Sequence, residues 1–269
     1  MITIFVAEHP HELERGTTLF ALRDAVKRDA DVIVYNGAPV DADRILQDGD
    51  AVVFIRRGEM PGPDELDALM AARHTPGVHQ KLRDACVGIA GLGGLGSAIA
   101  VALARIGVGR LILADFDVVE PSNLNRQQYF IEQIGLPKTE ALADNIRRIN
   151  PSVTLETHQI RLSPANIPVL FGHVHALVEA FDRAEEKAML IETVLTHMPD
   201  TPLVAASGLA GHNSANLIRT RKIRRNFYLC GDGMAAARPG QGLMAPRVGV
   251  AAHHQANAIL QLLLGEEPV

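Results

Sequence analysis

A glycine-rich turn set between an apolar strand and an alanine-rich helix restricts this chain more than any other feature. Val87-Gly88-Ile89-Ala90 is a short apolar run, and Gly91-Leu92-Gly93-Gly94-Leu95-Gly96-Ser97 is the turn. Ala98 to Ile106 then has helical composition closed by Gly107, and Arg110 to Asp115 reads as the next strand. These pieces make one βαβ unit. Gly91, Gly93 and Gly96 satisfy G-x-G-x-x-G, a spacing that lets the backbone approach a phosphate while the helix packs close to the strand. The unpaired amides and dipole of the helix start favour an anion there. Asp115 closes the second strand, where an acid can accept hydrogen bonds from ribose hydroxyls. A nucleotide is the expected guest.

The remaining composition narrows the setting. At 269 residues, 47% of them apolar, the chain has ample length to bury a core. Its net charge of -5 gives no general pull toward nucleic acid or an anionic membrane, so neither is expected as a partner. The chain has no apolar run of the roughly 18 residues a spanning helix needs, and Met1 to Val6 lacks the features of a signal peptide; a cytoplasmic protein is expected. Cys86 and Cys230 are the two cysteines and neither lies in a Cys-x-x-Cys pair, which excludes a cysteine-bound structural zinc.

Three segments are expected. Residues 1–57 read as a small α+β unit. Ile2 to Val6, Asp31 to Tyr35 and Ala51 to Arg56 are its strands, and a helix capped by Thr17 or Thr18 runs to about Lys27. Asn36-Gly37 and Asp48-Gly49-Asp50 are turn signals. Residues 58–80 hold a linker at Pro61-Gly62-Pro63 and a short lead-in helix opened by Asp64-Glu65-Leu66. Residues 81–269 read as a doubly wound α/β domain. Beyond the βαβ unit it has a polar loop from Val118 to Gln127, a helix from Pro137 to Ile149, and strands at Val153 to His158, Val174 to Val178, Pro202 to Ala206 and Ala215 to Thr220. A closing helix spans Gly249 to Leu264. Asp182 follows a strand end and so belongs on the same rim as Asp115.

With those residues placed, the chain from about Ala71 onward resembles the ThiF/MoeB/HesA adenylyltransferases, relatives of the ubiquitin-activating enzymes. The matching pieces are Gly91 to Gly96 with Gly94 among them, Leu113-Ala114-Asp115, Ser122-Asn123-Leu124-Asn125-Arg126-Gln127, Pro137-Lys138 and Asp182. The order of elements in residues 1–57 resembles the ubiquitin-like sulfur carriers of thiamine biosynthesis, a β-grasp fold. The resemblance implies a Rossmann-like ATP-binding domain that joins a carrier's C-terminal Gly-Gly carboxylate to AMP and releases pyrophosphate, in the thiamine branch. It implies Arg126 and Lys138 on the phosphates, Asp182 on magnesium, Asn123 as a polar nucleotide contact and Asp115 on the ribose. It also implies a homodimer; Arg73 lies where relatives carry an arginine that reaches the partner subunit's ATP site, but its surroundings Ala72-Arg73-His74-Thr75-Pro76 do not closely match, and a plain surface arginine is the other reading.

The chain departs from that pattern in two places and leaves two further features open. Arg57-Gly58-Glu59 stands where a carrier would end in Gly-Gly, so the fused module has no terminal carboxylate and reads as a docking, autoregulatory or purely stabilising element. The two zinc-binding Cys-x-x-Cys pairs of many relatives are missing, so no zinc is expected. Cys230, expected in a glycine-rich loop, is either a thiol that takes the activated carrier or an unreactive packed thiol. The basic run Arg219 to Arg225 is either a guide for an acidic carrier or a solvated loop. Rival functions stay open: an NAD-dependent oxidoreductase using the same turn and Asp115, adenylation of a small molecule or a tRNA base, and a non-catalytic nucleotide-binding scaffold.

Overall fold

Ile2–Val6 (β1) and His9–Leu13 (β2) pair antiparallel in the computed structural model, which describes residues 1–62 and 65–269. Ala7 and Glu8 connect them with φ of 48° and 69°, the turn hand that matches strand twist. Leu19–Val26 (α1) follows, and the Thr18 side chain accepts from the Ala21 amide to cap it. Val32–Tyr35 (β3) and Ala38–Val40 (β4) form a second hairpin around Asn36-Gly37. Ala51–Ile55 (β5) then runs between β1 and β3, parallel to the first and antiparallel to the second. The sheet order β2-β1-β5-β3-β4 with one helix is a β-grasp. Ile4, Leu19, Leu22 and Val52 fill one of its faces. Val34 and Val53 pack with Ala72 and Leu69 on the other.

The chain continues through Pro63–Ala71 (α2) and Val78–Arg83 (α3). The helix expected to open at Asp64-Glu65-Leu66 is thus present as α2; the side chains of Pro63 and Asp64 lie outside the described residues. Two compact units result, Met1–Gln80 and Lys81–Val269.

In the second unit, Cys86–Ala90 (β6), Gly94–Arg105 (α4), Arg110–Asp115 (β7), Lys138–Ile149 (α5) and Thr154–Gln159 (β8) build one half of the sheet. Ile167–Phe171 (α6), Ala176–Glu179 (β9), Ala184–His197 (α7), Leu203–Ala206 (β10), Arg219–Arg224 (β11), Phe227–Gly231 (β12) and Ala245–Leu264 (α8) build the other. The order is β11-β12-β10-β9-β6-β7-β8, parallel except for the edge strand β11. β6, β9 and β10 are buried at every residue, as strands covered by helices on both faces require. The chain leaves β6 in one direction through β7 and β8, then returns to β9 on its other side. The crevice between the carboxyl ends of β6 and β9 is therefore the switch point where doubly wound sheets bind ligands.

Several boundaries differ from expectation. α4 begins at Gly94, inside the glycine motif, and α8 begins at Ala245, four residues early. The stretch expected as a strand over 215–220 splits: Ala215–Leu217 is a short 3-10 turn capped by Ser214, and the strand is the basic run itself. Cys230 lies within β12 and not in a loop.

Candidate functional site

At the switch point the glycine turn is locked to both flanking strands. The Gly91 amide donates to the Ala114 carbonyl at 2.9 Å, and the Ala180 amide to that of Ala90 at 2.9 Å. Gly91 has φ of 90°, and a Cβ there would lie 2.9 Å from the Ala180 oxygen, so a side chain is barred by both strain and space. At Gly96 a Cβ would sit 1.9 Å from the Gly91 oxygen, which is the close helix-to-turn packing the motif exists to permit. Asp115 completes the lock: one oxygen accepts from the Leu92 amide at 2.6 Å and the other from the Asp117 amide at 2.8 Å. Tyr129 donates to the Leu92 carbonyl at 2.7 Å, and burial together with nearby Asp115 holds its hydroxyl proton well above the usual tyrosine range.

A cleft of about 490 Å³ opens above this turn. Gly91, Gly93 and Gly94 form its floor, and Asp115, Arg126, Lys138 and Asp182 all reach its wall. The Lys138 ammonium meets the Asp117 carboxylate at 2.9 Å, and the Lys138 side chain is 7% exposed while that of Asp117 is 48% exposed. Arg126 spends one nitrogen on the Ser122 carbonyl and the Asn125 side chain, and the rest of its fork is unclaimed among the described residues. Asp182 is exposed and has no partner among the described residues. The residue at the N-terminal boundary of α7 is Arg183, with no side-chain cap, so Asp182 is not spent on capping.

Other residues singled out in the sequence fall elsewhere. Asn123 is buried away from the cleft, where its oxygen accepts from the Glu120 amide at 3.1 Å, so the expected nucleotide contact is a loop brace instead. Gly96 lies behind the floor. Arg73 is exposed in the first unit. Cys230 is completely buried, its thiol 3.5 Å from the Thr220 hydroxyl, and burial pushes it up to about 11. A thiol so protonated at neutral pH is a poor nucleophile.

Sequence reasoning missed two groups that the structure brings to the cleft. Gln127 lines it, is 7% exposed, and its side-chain oxygen is buried with no partner; its place beside Arg126 in the motif was the available signal. The second is a buried ion pair. The Glu179 carboxylate, fully buried at the end of β9, accepts from the Lys187 ammonium at 2.9 Å through both oxygens, and Lys187 also donates to the Ala206 carbonyl at 3.0 Å. Burial raises Glu179 above the usual carboxylate range against the pull of Lys187. Asp232 and Arg247 form another buried pair, and Arg247 also donates to the Asn213 and Ser214 carbonyls. This pair ties the segment after β12 to the first turn of α8. Burial works to raise Asp232, but amides of Ala235 and Met234 and the Arg247 charge outweigh it and hold the group low.

A glycine turn at the switch point of a doubly wound sheet, walled by an arginine, a lysine and an unpaired carboxylate, defines a Rossmann-like domain, here following a β-grasp module. The chain belongs to the ThiF family, whose model matches residues 67–269, and residues 2–58 match the ThiS-like ubiquitin model. Ubiquitin-like modifier-activating enzyme 5 of Caenorhabditis briggsae is 40% identical over 97 residues, 36% of this chain and 22% of that protein. The chain spans about a fifth of the length of such curated relatives. Among solved structures, E. coli tRNA N6-threonylcarbamoyladenosine dehydratase, TcdA, in complex with AMP superposes with a TM-score of 0.66 at 23% identity, covering 73% of this chain and 92% of that one. The same enzyme with ATP gives 0.62 at 25%, over 71% and 92%. No helix among the described residues is long and apolar enough to cross a membrane.

Proposed function

We propose that this chain is an ATP-dependent adenylyltransferase that activates the terminal carboxylate of a separate ubiquitin-like partner as an acyl-adenylate, in the thiamine branch of sulfur transfer. The observation that carries the reading is the convergence of Arg126, Lys138 and Asp182 on the cleft above the glycine turn. In the reaction a carboxylate oxygen attacks the α-phosphorus of ATP, the bond to the bridging oxygen breaks, and pyrophosphate leaves. Two anions must be brought together, so fixed cations at close range are the main requirement. Arg126 has free donors in a planar fork suited to two phosphate oxygens, and Lys138 supplies a compact charge. The floor of the cleft is kept free of side chains at Gly94, where a Cβ would lie 2.9 Å from Val248 and 3.2 Å from the Arg126 stem, and the unpartnered Gln127 oxygen is a free acceptor on the lining. Asp182, an unpaired oxygen ligand on that wall, suits magnesium, which would neutralise charge on the phosphates. An oxidoreductase using the same turn would leave these groups without a purpose.

In this reading the protein is a cytoplasmic homodimer with Arg73 contributing to the neighbouring subunit's site, and the fused carrier-like module acts in docking or autoregulation. A second acceptor is favoured by one observation: the chain covers 92% of an enzyme named for its action on tRNA N6-threonylcarbamoyladenosine. ATP–pyrophosphate exchange separates the readings. Label returning to ATP only when a Gly-Gly-ended carrier is added supports the carrier reading, stimulation by tRNA alone favours the second, and no exchange with either would remove both. Because Cys230 is buried and protonated, Cys230→Ser is expected to leave exchange within about twofold of wild type. A covalent carrier adduct, seen by intact mass after incubation with ATP and a Gly-Gly-ended carrier and lost in Cys230→Ser, would return that thiol to the mechanism.

A further inference from the structure

A broad groove lies beside the cleft, sharing Ala235 and Ala236 with it as a common wall. Three guanidinium groups line it: Arg219 and Arg221 from β11, and Arg238 from the segment after β12. Arg219 and Arg221 alternate along the strand, registered opposite Gly231 and Leu229, and so project from one face. All three are exposed, and none has an acidic partner among the described residues; Arg238 only donates to the Gln241 side chain. The single acid on the groove wall is Asp232, whose oxygens are taken by Arg247 and by the amides of Met234 and Ala235. A protein of net charge -5 has thus gathered three uncompensated positive charges in one depression. β11 is also the edge of its sheet, and among the described residues no strand pairs with its outer side, which can add an extended strand.

Together these features call for a ligand that is anionic and extended. We infer that the groove seats an extended acidic peptide segment, the stretch just upstream of the terminal carboxylate that the neighbouring cleft activates, and so selects the protein partner by charge. This deepens the adenylyltransferase reading and rests on it. The fused module is the wrong occupant: at the place where a carrier's tail would begin it has Arg56 and Arg57, and these are already tied to Asp29 and Asp31. Basic residues in a basic groove would be repelled, so the occupant is a separate acidic chain.

The test uses the full chain and three fluorescein-labelled decapeptides ending in Gly-Gly, with aspartate, serine or lysine at the positions upstream. Anisotropy titrations are expected to give affinity for the acidic peptide at least about tenfold above the serine peptide, with no binding of the lysine peptide, and a preference that shrinks between about 50 and 200 mM salt. Arg219→Glu with Arg221→Glu is expected to erase the preference while ATP affinity by calorimetry is unchanged; Arg221→Gln is the milder variant should the pair fail to fold. Equal binding of acidic and serine peptides, or a preference that survives in the variants, overturns the groove. So does an unrelated RNA hairpin that outcompetes the acidic peptide. Loss of ATP binding with acidic selection intact would instead overturn the activation reading and leave the groove standing.

Discussion

Lys138→Ala is expected to lower carrier-stimulated ATP–pyrophosphate exchange by about 10²- to 10³-fold, the scale on which removal of one fixed transition-state donor acts. The size of the effect follows from where the ammonium is held. Its stem is buried at the start of α5, its own amide donates to the Asp117 carbonyl at 3.0 Å, and its charge is fixed by the Asp117 carboxylate. A charge anchored this way needs no reorganisation when negative charge grows on the phosphates. The stability cost should be small by comparison. Asp117 is half exposed, so the carboxylate left behind can be solvated and is not stranded. ATP affinity should weaken less than exchange does, because a uniform binding contact lowers both alike whereas a transition-state contact falls on the rate. Exchange within threefold of wild type would remove Lys138 from the reaction. Loss of the folding transition would instead mark it as a packing residue.

What the sequence disclosed and what it hid have separate physical causes. The βαβ unit was legible because its constraints are local: an apolar strand, a turn that needs Gly91, and a helix that closes on Gly96 each leave a mark within a few residues. The β-grasp was legible only in part. β2 is His9-Pro10-His11-Glu12-Leu13, an edge strand without apolar alternation, and its turn is Ala7-Glu8 in place of the usual glycine or asparagine pairs. β4, Ala38-Pro39-Val40, is three residues long with a proline, which an edge position tolerates. β11 was hidden because four of its six residues are exposed arginines or lysine and only Thr220 is half-buried, so the hydrophobic signal that marks a strand is absent. At the site, Arg126, Lys138 and Asp182 were singled out because they fall in a motif whose order matches a family, and all three line the cleft. Asn123 sits in that same motif and is a brace, since sequence proximity cannot tell which side of a loop faces a ligand. Glu179–Lys187 and Asp232–Arg247 were invisible for the opposite reason. Each pairs a residue at a strand end with one on a helix, and only burial makes the pairing consequential.

The Glu179–Lys187 pair carries the second large expectation. Lys187→Met keeps the length of the stem but leaves a fully buried carboxylate with only backbone amides to face, those of Phe181 at 2.7 Å and of Ala206. Removing one partner of a buried pair costs about 3–5 kcal/mol, and the 21% exposure of the Lys187 side chain puts this case near the low end. The cost must depend on pH, and the sign is fixed. Glu179 in the folded protein already titrates above its unfolded value because burial disfavours the charged form, and loss of Lys187 raises it further. A carboxyl raised on folding favours the folded state most where it is protonated, below its unfolded value, and that advantage fades as pH climbs through the folded value. Urea denaturation of the variant should therefore show a deficit against wild type that is largest at neutral to alkaline pH and narrows on acidification. Glu179→Gln combined with Lys187→Met should recover much of the loss at pH 7, since the neutral amide leaves no buried charge. A deficit independent of pH, with no recovery in the double variant, would mean that Lys187 stabilises through its donor to Ala206 and its packing on α7 and not through the carboxylate.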